Sequence, residues 1–141
     1  MKLQVTRIDK DLPLPRYESP GACAFDLAAR TEKVIEPKSL ALIPANLIVH
    51  VPDDHVLLLC SRSSGPKKKG LLTPHGIGVI DRDYCGPEDE LRVQVYNFTD
   101  APVTVSRGER IAQAMVLPAP LVELEEVETT GQSRGGFGST S

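Results

Sequence analysis

The chain has 141 residues and a formal net charge of −3 at neutral pH, from 19 acidic and 16 basic side chains. That length suits one compact domain, and the acidic balance argues against a broad basic surface for duplex nucleic acid while leaving nucleotides open. No apolar run approaches a bilayer span and MKLQVTRIDK lacks the apolar core of a secretory signal, so a soluble, cytoplasmic protein is expected.

Twelve prolines and eleven glycines interrupt the chain so often that no helical apolar period lasts three turns. The short apolar runs predict strands over Leu3 to Ile8, Ala24 to Ala29, Ser39 to Ile43, Leu47 to Val51 and Val56 to Cys60. Further strands follow at Ile77 to Ile80, Leu91 to Phe98, Val103 to Val105 and Ile111 to Leu117. Arg92 to Phe98 alternates polar and apolar residues, as a strand with one buried face does. Gly108 to Met115 holds good helix formers, but Pro118 ends the stretch after barely two turns, which favours a strand. The pattern is all-β: a sandwich, barrel or jelly roll. The residues from Thr129 to Ser141 are rich in Gly, Ser and Thr and almost free of apolar groups. The expected division is therefore a β domain over 1–128 and a flexible C-terminal tail over 129–141.

Cys23, Cys60 and Cys85 are widely spaced and form no CxxC, which signals neither a disulfide framework nor a zinc site and predicts reduced, mostly buried thiols. His50, His55 and His75 lack metal-site spacing.

Two loops carry polar groups beside apolar strand ends, and the tail offers a third candidate segment. Gly78-Val79-Ile80-Asp81-Arg82-Asp83-Tyr84-Cys85-Gly86 is either a polar turn with Asp capping backbone amides, or a site in which a fixed carboxylate aligns a water and the ring packs under a sugar. Cys60-Ser61-Arg62-Ser63-Ser64-Gly65 offers a guanidinium, hydroxyls and amides of the kind that bind phosphate oxygens, though such loops are commonly plain connections. Lys67-Lys68-Lys69 reads as solvated surface. In Gly135-Gly136-Phe137-Gly138-Ser139-Thr140 one ring sits among residues of little bulk, either a flexible end or a segment that wraps a ligand and stacks on a base.

In this order the segments resemble the five motifs of the trimeric dUTP diphosphatase (dUTPase) family. They are Ala24-Phe25-Asp26-Leu27, Arg62-Ser63-Ser64, Gly78 to Gly86, Gly108-Glu109-Arg110-Ile111-Ala112-Gln113 and Gly135 to Thr140. The resemblance implies a β jelly roll, assembled as a homotrimer with sites built from motifs of different chains. It further implies hydrolysis of dUTP to dUMP and pyrophosphate, with magnesium (Mg2+) as cofactor. Asp81 would hold the attacking water, Tyr84 would lie under the deoxyribose, and the backbone of Gly76, Ile77, Gly78 and Ile80 would read the uracil edge. Ser63, Ser64 and Arg62 would meet the phosphates, and Gln113 would position the α-phosphate and the water. Phe137 would close over the base with Gly138, while Ser139, Thr140 and Arg134 would reach the outer phosphates. Asp26 would accept a water of the metal ion, since magnesium dehydrates reluctantly.

The sequence departs from the family pattern at several points. Ala24 stands where Gly is common, His75 where many members carry Asn, and Gln132-Ser133 where an Arg-Gly pair is usual. Gly65-Pro66 replaces Leu-Ala and should disfavour the short helix expected there. Pro87-Glu88-Asp89-Glu90 looks like an insertion whose acidic residues extend a hairpin tip. Two other readings share the fold: a dCTP deaminase, against which the Ile80 to Tyr84 pattern and short chain argue, and a non-catalytic nucleotide-binding trimer.

Overall fold

The computed structural model describes residues 1–138. Among them are eleven strands: β1 (Gln4–Arg7), β2 (Phe25–Ala28), β3 (Lys33–Ile35), β4 (Leu40–Pro44), β5 (Leu47–His50), β6 (His55–Ser61), β7 (Leu71–Leu72), β8 (Gly78–Ile80), β9 (Arg92–Asn97), β10 (Val103–Val105) and β11 (Arg110–Pro118). Every pairing is antiparallel. The largest sheet runs β2-β11-β6-β8, a second runs β4-β9-β7, and β1-β5 and β3-β10 form two-stranded ribbons. The all-β jelly-roll expectation holds.

Alternation explains how these small sheets share one interior. In β9, Val93, Val95 and Asn97 are buried while Arg92, Gln94 and Tyr96 turn outward. The largest fully buried apolar side chains are Leu27, Ile35, Ile43, Leu47, Val49, Leu57, Leu91 and Val105, drawn from six strands and the approach to β9. Burying each contributes about 1.5–3 kcal/mol, and Phe25 is the single aromatic of the buried cluster, so many aliphatic contacts carry the core. Asn97 is fully buried among them. It donates to the carbonyls of Ile35 at 3.0 Å and Ala101 at 2.8 Å, and accepts from the Thr99 amide and hydroxyl at 2.9 and 2.7 Å, which satisfies its polar atoms.

The structure differs from the sequence reading in four places. Strands β3 and β7 were not expected, because two or three residues cannot display a period; pairing with β10 and β9 defines them. Gly65-Pro66 does not prevent a helical turn: one π-type turn spans Gly65–Lys69, with Pro66 in its first two positions, where a missing N–H breaks no helical bond. The turn closes at Gly70, whose φ of +68° and approach to the Thr99 side chain leave no room for a Cβ. The cysteines are not buried: Cys23 is exposed, and Cys60 and Cys85 are half-buried. Glu90 does not lie at an exposed tip; it is 6% accessible and locked into the barrel.

Beyond Ala119, whose amide donates to the Asp54 carbonyl at 2.7 Å, the described chain forms no strand or helix and is exposed from Pro120 to Gly138. Ser139 and Thr140 lie outside the described residues. No helix among the described residues is long and apolar enough to cross a membrane.

Candidate active site

Strand β11 lies between β2 and β6, so whatever it carries meets residues from both neighbours. Its register shifts between Arg110 and Ala112: Arg110 faces Ala28, Ala112 faces Leu27 and Gln113 faces Asp26. The extra residue, Ile111, forms a bulge that puts Arg110 and Gln113 on the same sheet face as Asp26. Around that face the Asp26 carboxylate meets Arg62 Nε at 3.2 Å and Arg110 Nη1 at 3.1 Å. Arg62 Nη1 also donates to the Arg110 carbonyl at 3.2 Å, and Gln113 Nε2 to the Ser61 carbonyl at 2.9 Å. Arg110 reaches on to Glu18 at 3.0 Å. The guanidiniums of Arg16 and Arg110 hold the Glu18 carboxyl below its ordinary value against a smaller opposing effect of burial.

Next to this cluster a cavity of about 340 Å³ is lined by Arg62, Ser64, Lys68, Lys69, Glu109 and Arg110. Ser63 is exposed, and Ser64 begins the helical turn without a side-chain capping bond, so its hydroxyl is not committed to the turn. Lys69 is not merely solvated: its Nζ bonds Glu109 at 2.7 Å and the Thr104 carbonyl at 3.1 Å. Burial pushes the Glu109 carboxyl up, but Lys69 and the Ser106 amide together hold it below its ordinary value.

The third motif occupies the far edge of the same sheet. β8 pairs with β6 through Leu57↔Ile80, Leu58↔Val79 and Leu59↔Gly78. A Cβ at Gly78 would sit 3.1 Å from that of Leu59, so the close approach of the strands selects glycine there. A cavity of about 260 Å³ is lined here by Thr73, His75, Gly78, Val79 and Ile80. Gly76, at φ +79°, makes the preceding turn, its amide donating to the Thr73 carbonyl at 3.2 Å, and Ile77 is exposed. Asp81 follows the strand in the open, and its side chain makes no hydrogen bond or ion pair with the described residues. Tyr84, whose amide donates to the Asp81 carbonyl at 3.2 Å, packs its ring against the core and donates its hydroxyl to the Glu90 carbonyl at 2.9 Å.

The two groups do not converge within one chain. Ile80 faces Leu57 while Gln113 faces Cys60. The offset is about 10 Å along β6 and two strand spacings, about 10 Å, across the sheet, so Asp81 stands about 14 Å or more from Gln113. Phe137 is fully exposed, and Arg134 and Gly138 are exposed as well.

A family model described as dUTPase matches residues 10–141. The chain belongs to the dUTPase family. The deoxyuridine 5'-triphosphate nucleotidohydrolase of Methylocella silvestris is 40% identical over 137 residues, which cover 92% of this chain and 84% of that protein. That of Desulfitobacterium hafniense is 38% identical over 146 residues, covering 99% and 95%. Among solved structures, dUTPase from Streptococcus mutans superposes with a TM-score of 0.78 at 32% identity, covering 84% of this chain and 98% of that one. The Staphylococcus bacteriophage 80alpha dUTPase with dUPNHPP superposes with a TM-score of 0.87 at 26% identity, covering 99% and 98%.

Two sets of residues with partners at the site escaped the sequence reading. Arg110 was quoted within the fourth motif but given no role, although it pairs with Asp26 and borders the cavity beside Arg62 and Ser64; a lone Arg entering an apolar strand was its only local signal. Glu90, Arg30 and Asn46 gave none, since their partners lie 44 and 60 residues apart in sequence.

The fold family implies a magnesium ion, and the donor set can be tested against it. Among the described residues no three His, Cys, Asp or Glu side chains group to hold a metal. Asp26 forms an ion pair with a guanidinium at each of its oxygens, and this single carboxylate keeps lone pairs for water. The residues therefore fit an ion that travels on substrate phosphates and meets the protein through water, and do not form a protein cage.

Proposed function

We propose that the protein hydrolyses dUTP to dUMP and pyrophosphate, with Asp81 as the residue that directs the attacking water. The observation that carries this is the uncommitted Asp81 carboxylate at the end of β8, one turn from the pinned Tyr84 ring, in a chain of the dUTPase family. Asp81 holds a water in line with the α-phosphorus and takes up its proton as the oxygen attacks; the bond to the bridging oxygen breaks and pyrophosphate leaves. The Gly76, Ile77, Gly78 and Ile80 backbone receives the uracil edge, and Tyr84 lies under the deoxyribose.

The separation of Asp81 from Gln113 is the reason to place the complete site between copies of the chain. In a homotrimer, Ser63, Ser64, Arg62 and Gln113 of one subunit meet the phosphates of a nucleotide whose base and sugar lie on the β8 turn of its neighbour. Asp26, beyond aligning Arg62 and Arg110, offers a carboxylate to the waters of a magnesium ion carried by the phosphates. When bound, that ion would supply charge neutralisation at the phosphates, which would ease the departure of pyrophosphate. Phe137 closes over the base, Gly138 lets the backbone follow it, and Arg134, Ser139 and Thr140 reach the outer phosphates, so substrate binding orders a tail with no core of its own. A cytoplasmic location goes with this role in pyrimidine deoxynucleotide metabolism, in which removal of dUTP keeps uracil out of DNA and supplies dUMP.

The relatives named above are nucleotidohydrolases, which favours phosphate cleavage over deamination. The test is to incubate the protein with dUTP, dCTP or UTP plus magnesium and to measure pyrophosphate and ammonia separately. Pyrophosphate from dUTP is expected; ammonia from dCTP, or neither product, would replace this reading with the deaminase or the binding trimer.

A further inference from the structure

The segment between the third motif and β9 is bound more tightly than a surface insertion requires. Glu90 places its carboxylate against Arg30 in two parallel bonds, Nε to Oε1 at 2.7 Å and Nη2 to Oε2 at 2.9 Å, and Oε1 also accepts the Asn46 amide at 2.9 Å. This carboxylate raises the Arg30 guanidinium above its ordinary value, against the smaller effect of burial. The next residue is fixed on both sides: the Leu91 amide donates to the Leu47 carbonyl at 2.7 Å, and the Ala45 amide to the Leu91 carbonyl at 2.8 Å. Between the motif and this anchor the chain closes on itself, the Gly86 amide donating to Asp89 Oδ2 at 2.7 Å and the Asp89 amide to the Gly86 carbonyl at 3.1 Å.

Burying a carboxylate costs desolvation that a packed aliphatic pair would avoid, so stability alone is a poor account of this arrangement. What it does fix is position. The Glu90 carbonyl accepts the Tyr84 hydroxyl at 2.9 Å, so the far end of the ring is tied to the barrel through Glu90, Arg30 and Asn46. The rest of the residue is held by the Asp81–Tyr84 backbone turn and by non-directional packing against the core.

We propose that Glu90 is a positioning residue for sugar selectivity: the chain Arg30–Glu90–Tyr84 sets the height of the Tyr84 ring and so decides whether a 2′-hydroxyl fits above it. The proposal rests on the reading of Tyr84 as the surface beneath the deoxyribose. Exclusion of one hydroxyl by contact tolerates little play, and a displacement of about 1 Å in a positioned group changes rates by about a hundredfold.

The experiment measures kcat/KM for dUTP and for UTP in the unaltered protein and in Tyr84→Phe, Glu90→Gln, their double variant and Tyr84→Ala. Tyr84→Phe removes only the tethering hydroxyl, and Glu90→Gln weakens the grip on Arg30 while keeping shape. Each single variant is expected to raise UTP relative to dUTP by about tenfold or more, and the double variant no further than the larger single effect, because both act on one tether. An unchanged dUTP-to-UTP ratio in Tyr84→Phe and Glu90→Gln, with a changed ratio in Tyr84→Ala, would overturn the tether and leave the sugar surface standing. An unchanged ratio in all three would remove the sugar surface and the tether together. Equal losses on both nucleotides in Glu90→Gln would make its role one of stability only, and should that variant fail to fold, Tyr84→Phe decides alone.

Discussion

Asp81→Asn isolates chemistry from folding better than any other change in this protein. The carboxylate is exposed and bonds none of the described side chains or amides, so replacing one oxygen by an amide removes no interaction of the fold. A surface change of that kind stays within about 0.5 kcal/mol of stability, and at about 2–4 °C per kcal/mol for a chain near this length the melting temperature should move by about 2 °C or less. Turnover has no such protection. The amide cannot take the proton of the attacking water, and a positioned general base contributes about 10²–10⁴-fold, or about 3–5 kcal/mol of barrier. Pyrophosphate release from dUTP should therefore fall at least a hundredfold in kcat, while nucleotide affinity, measured by calorimetry, stays close to that of the unaltered protein. A kcat within tenfold of the original would refute the role of Asp81, and a melting temperature lowered by more than about 5 °C would show that the residue belongs to the fold.

Other outcomes follow from the packing. Gly70→Ala must accept a left-handed backbone, costing about 1–2 kcal/mol, and also displace the Thr99 methyl; urea unfolding should show a loss of more than about 2 kcal/mol, and a neutral result would contradict the geometry of the turn. Asn97→Ala leaves the buried Ile35 carbonyl without its donor, removes the part-buried bonds to the Ala101 carbonyl and the Thr99 amide, and empties a fully buried site, with an expected cost of at least about 2 kcal/mol in the same measurement. Glu109 carries a pH signature. Its carboxyl is lowered in the folded state, so its contribution is present above the ordinary value near 4.5 and is lost as pH falls through the folded value. The stability gap between the unaltered protein and Glu109→Gln should be about 0.5–1 kcal/mol at pH 7 and close toward pH 3, since the pair is partly solvated; a gap constant across that range would disprove the link.

Much of the fold was legible because strand signals are local. β9 shows its alternation in six residues, and β11 could be read as a strand because Pro118 cuts short any helix. β3 and β7 were not legible: Lys33–Ile35 and Leu71–Leu72 become strands by pairing with β10 and β9, partners far along the chain. The helical turn at Gly65–Lys69 was misjudged because proline forbids a helix interior but suits a helix start. For the candidate site, the Asp81 to Tyr84 turn and the Arg62-Ser63-Ser64 loop stood out as polar groups beside apolar strand ends, whereas Arg110 gained its significance from the β11 bulge that turns it toward Asp26.

By itself, then, the sequence determined the class of fold and the types of group available for phosphate chemistry, since both depend on residue identity and near-neighbour pattern. Only the tertiary structure decided that Asp81 and Gln113 stand apart within one chain, because strand order in a sheet is settled by long-range pairing. It also turned Glu90 from a residue of an acidic insertion into the buried anchor of the Tyr84 ring. A carboxylate's surroundings, and hence its role, come from whichever distant residues the fold brings against it, here Arg30 and the Asn46 amide.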